Sequence, residues 1–122
     1  MTFLSKQSKL EKAISKYDRS QERGETKRKL KRLHDEAWAK VSAQVSVRDT
    51  MTCRVCGCQT TRWGIGRPEW WGSAHHIIYR SAGGLDVLPN LVWLCFKCHQ
   101  DEHDHELIIT GTSDALRVER AA

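Results

Sequence analysis

Apolar residues recur at helical spacing over roughly the first 46 positions of the chain. A short stripe of Leu10, Ile14 and Tyr17 comes first, and Gly24 then predicts a break. Between residues 25 and 46 a longer stripe follows at spacings of three and four, made of Leu30, Leu33, Ala37, Trp38, Val41 and Val45. The pattern therefore predicts one or two N-terminal helices, with the second docking its apolar stripe on the remainder of the chain.

The second half of the chain predicts short strands and one short helix. Residues 73–78 and 90–94 are strand-like, with Gly83 and Gly84 in the loop between them, and a helix is predicted over residues 96–105. Residues 106–110 and 115–119 predict a hairpin around a Gly-Thr-Ser-Asp turn. The expected fold is a small α+β protein, with N-terminal helix or helices packed on a β-loop-β-helix unit that a C-terminal β-hairpin follows.

Charge is unevenly distributed along the 122 residues, whose net charge is +5. The first 50 residues hold 13 Lys and Arg against 7 Asp and Glu. A basic helix face suits the phosphates of a nucleic acid, and it equally suits a solvated surface; both interpretations stay open for Lys27, Arg28, Lys31 and Arg32. No apolar run is long enough for a membrane span and no signal-peptide core is evident, so we expect a cytoplasmic protein without a membrane partner.

Two Cys-x-x-Cys pairs indicate a metal site. Cys53 and Cys56 precede Gly57 in a knuckle-like turn, and Cys95 and Cys98 form the second pair. Four thiolates complete a tetrahedron around Zn²⁺ and leave no position for a substrate, so this zinc is expected to be structural. Disulfides are disfavoured in a reducing compartment, and the fifth cysteine, Cys58, is expected to be a bystander.

The histidines predict a second, open site. His99 and His103 share a helix face, whereas His75 and His76 should point to opposite sides of a strand. His75, His99 and His103 would surround one divalent ion with positions left for water and phosphate, and a neutral histidine beside them would act as general base. This arrangement predicts phosphodiester hydrolysis; the alternatives are that the histidines cap a helix, join the zinc site of the cysteines or hold a second structural zinc.

Residues 53–103 resemble the HNH endonucleases, the ββα-metal nucleases of bacteria, phages and mobile elements. The matching features, in order, are Cys53-x-x-Cys56, His75-His76-Ile77, Gly83-Gly84, Asn90-Leu91 and Leu94-Cys95-x-x-Cys98-His99. The resemblance implies that His76 is the general base and that Asn90 positions it by tying down the loop. It also implies that His75 and His99 are metal ligands, with His103 as the extra ligand of some members. Arg80 is a candidate phosphate contact or an exposed loop charge.

Charge and helical periodicity predict a basic helical extension over residues 1–50, and the resemblance implies a nuclease domain with zinc knuckles of four cysteines over residues 51–122. The expected activity is metal-dependent nicking or cleavage of DNA with Mg²⁺, Mn²⁺ or another divalent ion. Sequence selectivity would be weak or would come from a protein partner, and a phage origin fits the family. The alternative function is a zinc-stabilised nucleic-acid-binding module without catalysis.

A tryptophan-rich, loop-rich insertion is expected over residues 59–74. Its Trp63, Trp70 and Trp71 either stack on bases or cover the small core. We favour the core interpretation, because large aromatic side chains bury the most area in a short chain.

Overall fold

The computed structural model describes the backbone of residues 2–121 and the side chains of residues 9–121. Its elements are helix α1 (Thr2–Arg48), strands β1 (Gly72–His76) and β2 (Leu91–Cys95), helix α2 (Phe96–His103), and strands β3 (Leu107–Thr112) and β4 (Ala115–Arg120). These elements confirm the α+β class and the C-terminal hairpin. Met1 and Ala122, the outer ends of the two expected domains, lie outside the described residues.

The chain divides into two compact units, residues 1–37 and residues 38–122. The expected boundary between an extension and a nuclease domain at residues 50 and 51 stays a prediction. The first unit is helical, and the predicted break at Gly24 is wrong because α1 runs from Thr2 to Arg48. One glycine costs a helix only about 1 kcal/mol relative to alanine, which a helix of this length tolerates.

The apolar stripe of α1 is buried only toward its end. Leu30 and Leu33 belong to the first unit and are 62% and 48% exposed, and their docking on the second unit stays a prediction. Trp38 and Val41 are partly buried, and Val45 is completely buried in a cluster with three residues of the strand pair, Ala74, Leu91 and Trp93. These last three turns of α1 are sufficient to cover that cluster, and the stripe simply continues beyond them.

Strands β1 and β2 form the centre of the second unit. They pair antiparallel with Gly72 opposite Cys95 and His76 opposite Leu91. All five residues of β2 are buried, which agrees with its continuous apolar sequence. The second core cluster lies around Val92, Leu94, Leu107 and Ile109, so it joins this strand pair to the β3–β4 hairpin.

A buried aspartate joins the end of α1 to both strand pairs. Asp49 accepts hydrogen bonds from the guanidinium groups of Arg48 and Arg54 and from the backbone N–H of Trp93 in β2. Arg48 also donates to the carbonyls of Leu88 and Leu91, and Arg54 donates to that of Ser113. Burial acts to raise the pKa of Asp49, but these hydrogen bonds and charges outweigh it and hold the pKa below its usual range.

Helix α2 begins directly where β2 ends. Cys95 is both the last residue of β2 and the N-cap of α2, and its Sγ accepts a hydrogen bond from the N–H of Cys98 at 3.4 Å. The helix stops at His103, two residues before His105, which adopts a left-handed φ of 60°. Two cysteines and two histidines of the predicted sites therefore lie on or beside this one short helix.

Candidate active site and metal centre

Four cysteines from two distant segments meet in the second unit. The Sγ atoms of Cys53, Cys56, Cys95 and Cys98 all lie within 4.8 Å of one another. Those of Cys56 and Cys95 are 3.8 Å apart. Zn–S bonds of about 2.3 Å in a tetrahedron separate neighbouring sulfurs by about 3.8 Å, so the donor set fits a zinc ion. Such an ion would fasten the Cys53–Cys56 turn to the start of α2.

The electrostatics of the cysteines also suit a cation. Burial, followed by the charge of Cys53, raises the pKa of the Cys98 thiol, and burial is also the largest influence raising that of Cys95. Burial acts to raise the pKa of Cys56 too, but the backbone amide of Cys58 and the neighbouring thiols lower it to about 7. A divalent cation would favour four thiolates gathered in this way.

Cys58 lies beside this cluster without belonging to the group of four. It is half-buried and packs against the neighbouring core. Burial and the nearby Cys56 and Cys95 raise its pKa to about 12, so its thiol stays protonated at neutral pH. These features suit the bystander expected from the sequence.

Three histidines converge between β1 and α2. The ring nitrogens of His75, His99 and His103 that would serve as ligands all lie within 4.8 Å of one another. The Nε2 atoms of His99 and His103 are 2.8 Å apart, and their rings stack with centroids separated by 4.7 Å. Two imidazole nitrogens that face each other this closely must share either a hydrogen or a cation.

His75 is the buried member of this histidine cluster. Its side chain is 3% exposed, and burial, followed by the charges of the other histidines, lowers its pKa to about 3. The Nε2 atom is buried without a hydrogen-bond partner, although it lies 3.4 Å from Glu102 Oε2. A neutral imidazole with an unsatisfied buried nitrogen is a good metal ligand. The donor set therefore fits a divalent ion as well.

Two further residues hold the cluster together. Tyr79 donates a hydrogen bond to the carboxylate of Glu102, and burial together with that carboxylate raises the pKa of Tyr79 to about 12. The Tyr79 ring stacks on that of His103 at a centroid distance of 6.0 Å. Across the cleft, Ser73 Oγ and His99 Nδ1 lie 3.1 Å apart, which fixes the His99 ring and directs its Nε2 toward His103.

His76, the last residue of β1, turns toward Trp38 of α1 and still lines the same cleft as His75. Its ring stacks on Trp38 of α1, with centroids 5.0 Å apart and planes 13° from parallel. Its Nε2 is 2.6 Å from Asp86 Oδ1. Arg80 donates two hydrogen bonds to the same carboxylate and lies over the other ring of the stack, 4.7 Å from the centroid of Trp38. The hydrogen bonds from Arg80 are the largest influence that holds the pKa of Asp86 below its usual range.

Asn90 fastens the loop that carries Arg80 and Asp86. Its side chain accepts from the N–H of Ile78 and donates to the carbonyls of Ile78 and Leu85. Gly84 allows the loop to close, because a Cβ there would lie 1.7 Å from the carbonyl oxygen of Ile78. The hydrogen bonds of Asn90 to the backbone thus hold the loop with Asp86 against the end of β1, where Asp86 faces His76.

The predicted histidines and Arg80 share one cleft of about 340 Å³, which Asn90 does not line. Its walls include all four histidines of the predicted site, together with Arg80 and Tyr79. The four basic residues predicted to contact phosphate, in contrast, belong to the first compact unit, where each is exposed: Lys27, Arg28, Lys31 and Arg32. Lys31 forms an ion pair with Asp35 at 3.5 Å.

Comparison with known families gives one match. The family model of the HNH endonucleases matches residues 66–105, which include His75, His76, Asn90, His99 and His103. Residues 66–105 therefore match an HNH endonuclease domain, and the cysteine cluster fits a zinc-binding member of that class. This match supports a nuclease-type function in general. No curated protein and no solved structure matches the chain.

Sequence reasoning missed several residues around the histidines. Asp86, Glu102 and Trp38 were not singled out for the site, because each meets its partner only after the chain has folded. The prediction that the tryptophans cover the core is wrong for two of them, since Trp63 and Trp70 are 60% and 47% exposed.

No helix in the described part of the chain has the length and apolar character needed to cross a membrane.

Proposed function

We propose that this protein is a metal-dependent DNA endonuclease that hydrolyses phosphodiester bonds in the cleft between β1 and α2. The observation that carries the proposal is the convergence of His75, His99 and His103 within one cleft that also contains His76 and Arg80. His75, His99 and His103 would hold Mg²⁺, Mn²⁺ or another divalent ion, while Cys53, Cys56, Cys95 and Cys98 would hold Zn²⁺. When bound at the histidines, a divalent ion supplies charge neutralisation at the scissile phosphate.

His76 is the general base in this proposal. Asp86 engages its Nε2, so Nδ1 is the nitrogen that removes a proton from the attacking water. The Asp86 carboxylate and the stacked Trp38 ring hold the imidazole of His76 in one orientation. The water oxygen then attacks phosphorus, and the P–O bond to the departing strand breaks.

Arg80 and Asn90 have supporting roles. Arg80 is 46% exposed in spite of its ion pair with Asp86, so its outer face remains available to a phosphate of the substrate. Asn90 positions the loop through its three backbone hydrogen bonds and does not need to touch DNA. The exposed basic residues of the first unit, Lys27, Arg28, Lys31 and Arg32, would add sequence-independent phosphate contacts.

A supercoiled-plasmid assay tests the proposal. Zinc-loaded protein should convert supercoiled DNA to nicked or linear forms with Mg²⁺ or Mn²⁺, and His76→Ala should lower the rate by about 10²- to 10⁴-fold, the usual contribution of a general base. His105→Asn is the matched control, because His105 is exposed beyond α2 and asparagine tolerates its left-handed backbone.

Two results would contradict the proposal. If His76→Ala cuts as fast as the parent, the base is assigned wrongly. If the folded, zinc-loaded parent binds DNA in a salt-sensitive manner but cuts with none of the divalent ions tested, the protein is a zinc-stabilised nucleic-acid-binding module instead.

A further inference from the structure

A second cleft of about 360 Å³ adjoins the histidine cleft and has aromatic walls. Trp63 is 60% exposed and Phe96 is 38% exposed, and their rings meet edge to face with centroids 5.9 Å apart. Trp71 supports Trp63 from behind at 4.8 Å. The indole of Trp63 is thus fixed in place by two aromatic neighbours while much of its surface stays open to solvent.

This aromatic cleft is continuous with the proposed reaction site. His99, His103 and Ala74 line both clefts, and Ser73, which lies 3.1 Å from His99, lines the aromatic one. A group seated against Trp63 and Phe96 would therefore lie next to a phosphate held among the histidines. Along a nucleic-acid strand, the groups next to a phosphate are its flanking sugars and bases.

The chemistry of the lining favours a base over a second phosphate. Among the described residues that line this cleft, none is a lysine or an arginine. The lining instead offers aromatic surface, an apolar Ala74 and the amide of Gln100, whose Nε2 donates to Asp104 at 3.2 Å and keeps a second N–H beside its carbonyl acceptor. Flat π surfaces with a nearby amide bind nucleobases by stacking and edge recognition.

We propose that the Trp63–Phe96 cleft binds an unpaired nucleobase that flanks the scissile phosphate. This inference rests on the proposed nuclease function and adds a substrate class to it. In a regular duplex both faces of each base are covered by its neighbours, so only an unstacked base can offer a face to Trp63. The preferred substrate is then DNA with unpaired nucleotides at the cut, such as a flap, a bulge or a single strand.

Binding measurements test this without requiring cleavage. The probes are a short DNA duplex, the same duplex with one bulged adenine, and that bulge with an abasic site. Fluorescence anisotropy would measure their Kd values for zinc-loaded protein in the His76→Ala background with Mn²⁺. The bulged adenine should bind at least about fivefold more tightly than the abasic bulge, the lower end of what stacking on one aromatic residue contributes.

Variants of two exposed tryptophans locate the effect. Trp63→Ala should remove the preference for adenine over the abasic site, and Trp63→Phe should retain most of it. Trp70→Ala is the matched control, because Trp70 is 47% exposed in the same segment but does not line the aromatic cleft. Circular dichroism and zinc content verify that each variant is folded.

The outcomes separate this inference from the proposed function. Loss of the adenine preference in Trp63→Ala but not in Trp70→Ala supports the base-binding cleft. Equal affinity of the parent for adenine and abasic bulges overturns it, as does a preference that survives in Trp63→Ala. Failure to cut plasmid DNA with the adenine preference intact overturns the nuclease proposal alone, whereas cutting without any such preference overturns the cleft alone.

Discussion

Replacing Asp49 with asparagine should destabilise the second unit strongly. The carboxylate is 2% exposed and accepts four hydrogen bonds at 2.9 to 3.0 Å, two of them from Arg48. The amide of Asp49→Asn keeps a single acceptor oxygen. Its NH₂ group would face donors that it cannot satisfy, and two guanidinium groups would lose their counter-charge.

The size of the expected loss in stability depends on how far the aspartate and its two arginine partners are buried. Removing one partner of a buried ion pair costs about 3–5 kcal/mol. The side chains of Arg48 and Arg54 are 27% and 31% exposed, so water can partly replace the lost carboxylate, and we expect about 2–3 kcal/mol. For a unit of this size, about 4–8 °C of Tm accompanies each kcal/mol, so Tm should fall by roughly 10–20 °C.

Thermal unfolding followed by tryptophan fluorescence at pH 7 measures this change. Free zinc must be held at one concentration for all proteins, because a bound ion raises the apparent Tm by mass action. Asp114→Asn is the control, since Asp114 is an exposed aspartate in the β3–β4 turn. A fall in Tm of less than about 3 °C for Asp49→Asn, or an equal fall for Asp114→Asn, would refute the reasoning.

Three further predictions concern the site itself. Asp86→Asn should lower kcat for plasmid nicking by at least about tenfold with little change in KM, because His76 loses its orienting carboxylate; a change in KM alone would contradict this. Gly84→Ala should lower nicking by about a hundredfold, since the added Cβ displaces the loop, whereas Gly83→Ala, which meets no neighbouring atom and bears only the strain of its left-handed φ of 88°, should lose much less. In metal analysis, Cys98→Ser should lose the structural zinc and the cooperative unfolding transition, and Cys58→Ser should retain both; zinc loss from Cys58→Ser would make it a ligand.

Local sequence patterns were sufficient to predict the strand–loop–strand–helix unit. Alternating and continuous apolar positions identified both strand pairs. The predicted helix after β2 also contains Cys98, His99 and His103, with Cys95 directly before it. The break at Gly24 was wrong, because propensity is weak evidence against a long helix.

The interactions that pattern could not predict are those between distant segments. Asp49 and Trp93 are 44 positions apart, and nothing near Asp49 in the sequence marks it as a buried acceptor. Asp86 is equally inconspicuous in a polar loop until Asn90 and Gly84 fold that loop back on β1. The exposure of Trp63 likewise depends on where the segment of residues 59–74 lies in the fold, and amino-acid composition does not specify that position.

Because Cys98 and His99 are consecutive residues of α2, a chelator would act on the protein in two ways. At the histidine cluster, removal of an ion would be rapid and reversible by adding Mg²⁺ or Mn²⁺ back. At the cysteine cluster, where all but Cys56 are buried, removal of zinc would be slower and would release the helix that positions His99 and His103. Inhibition by EDTA is therefore not evidence for a catalytic ion unless brief exposure is reversed by a divalent ion other than zinc.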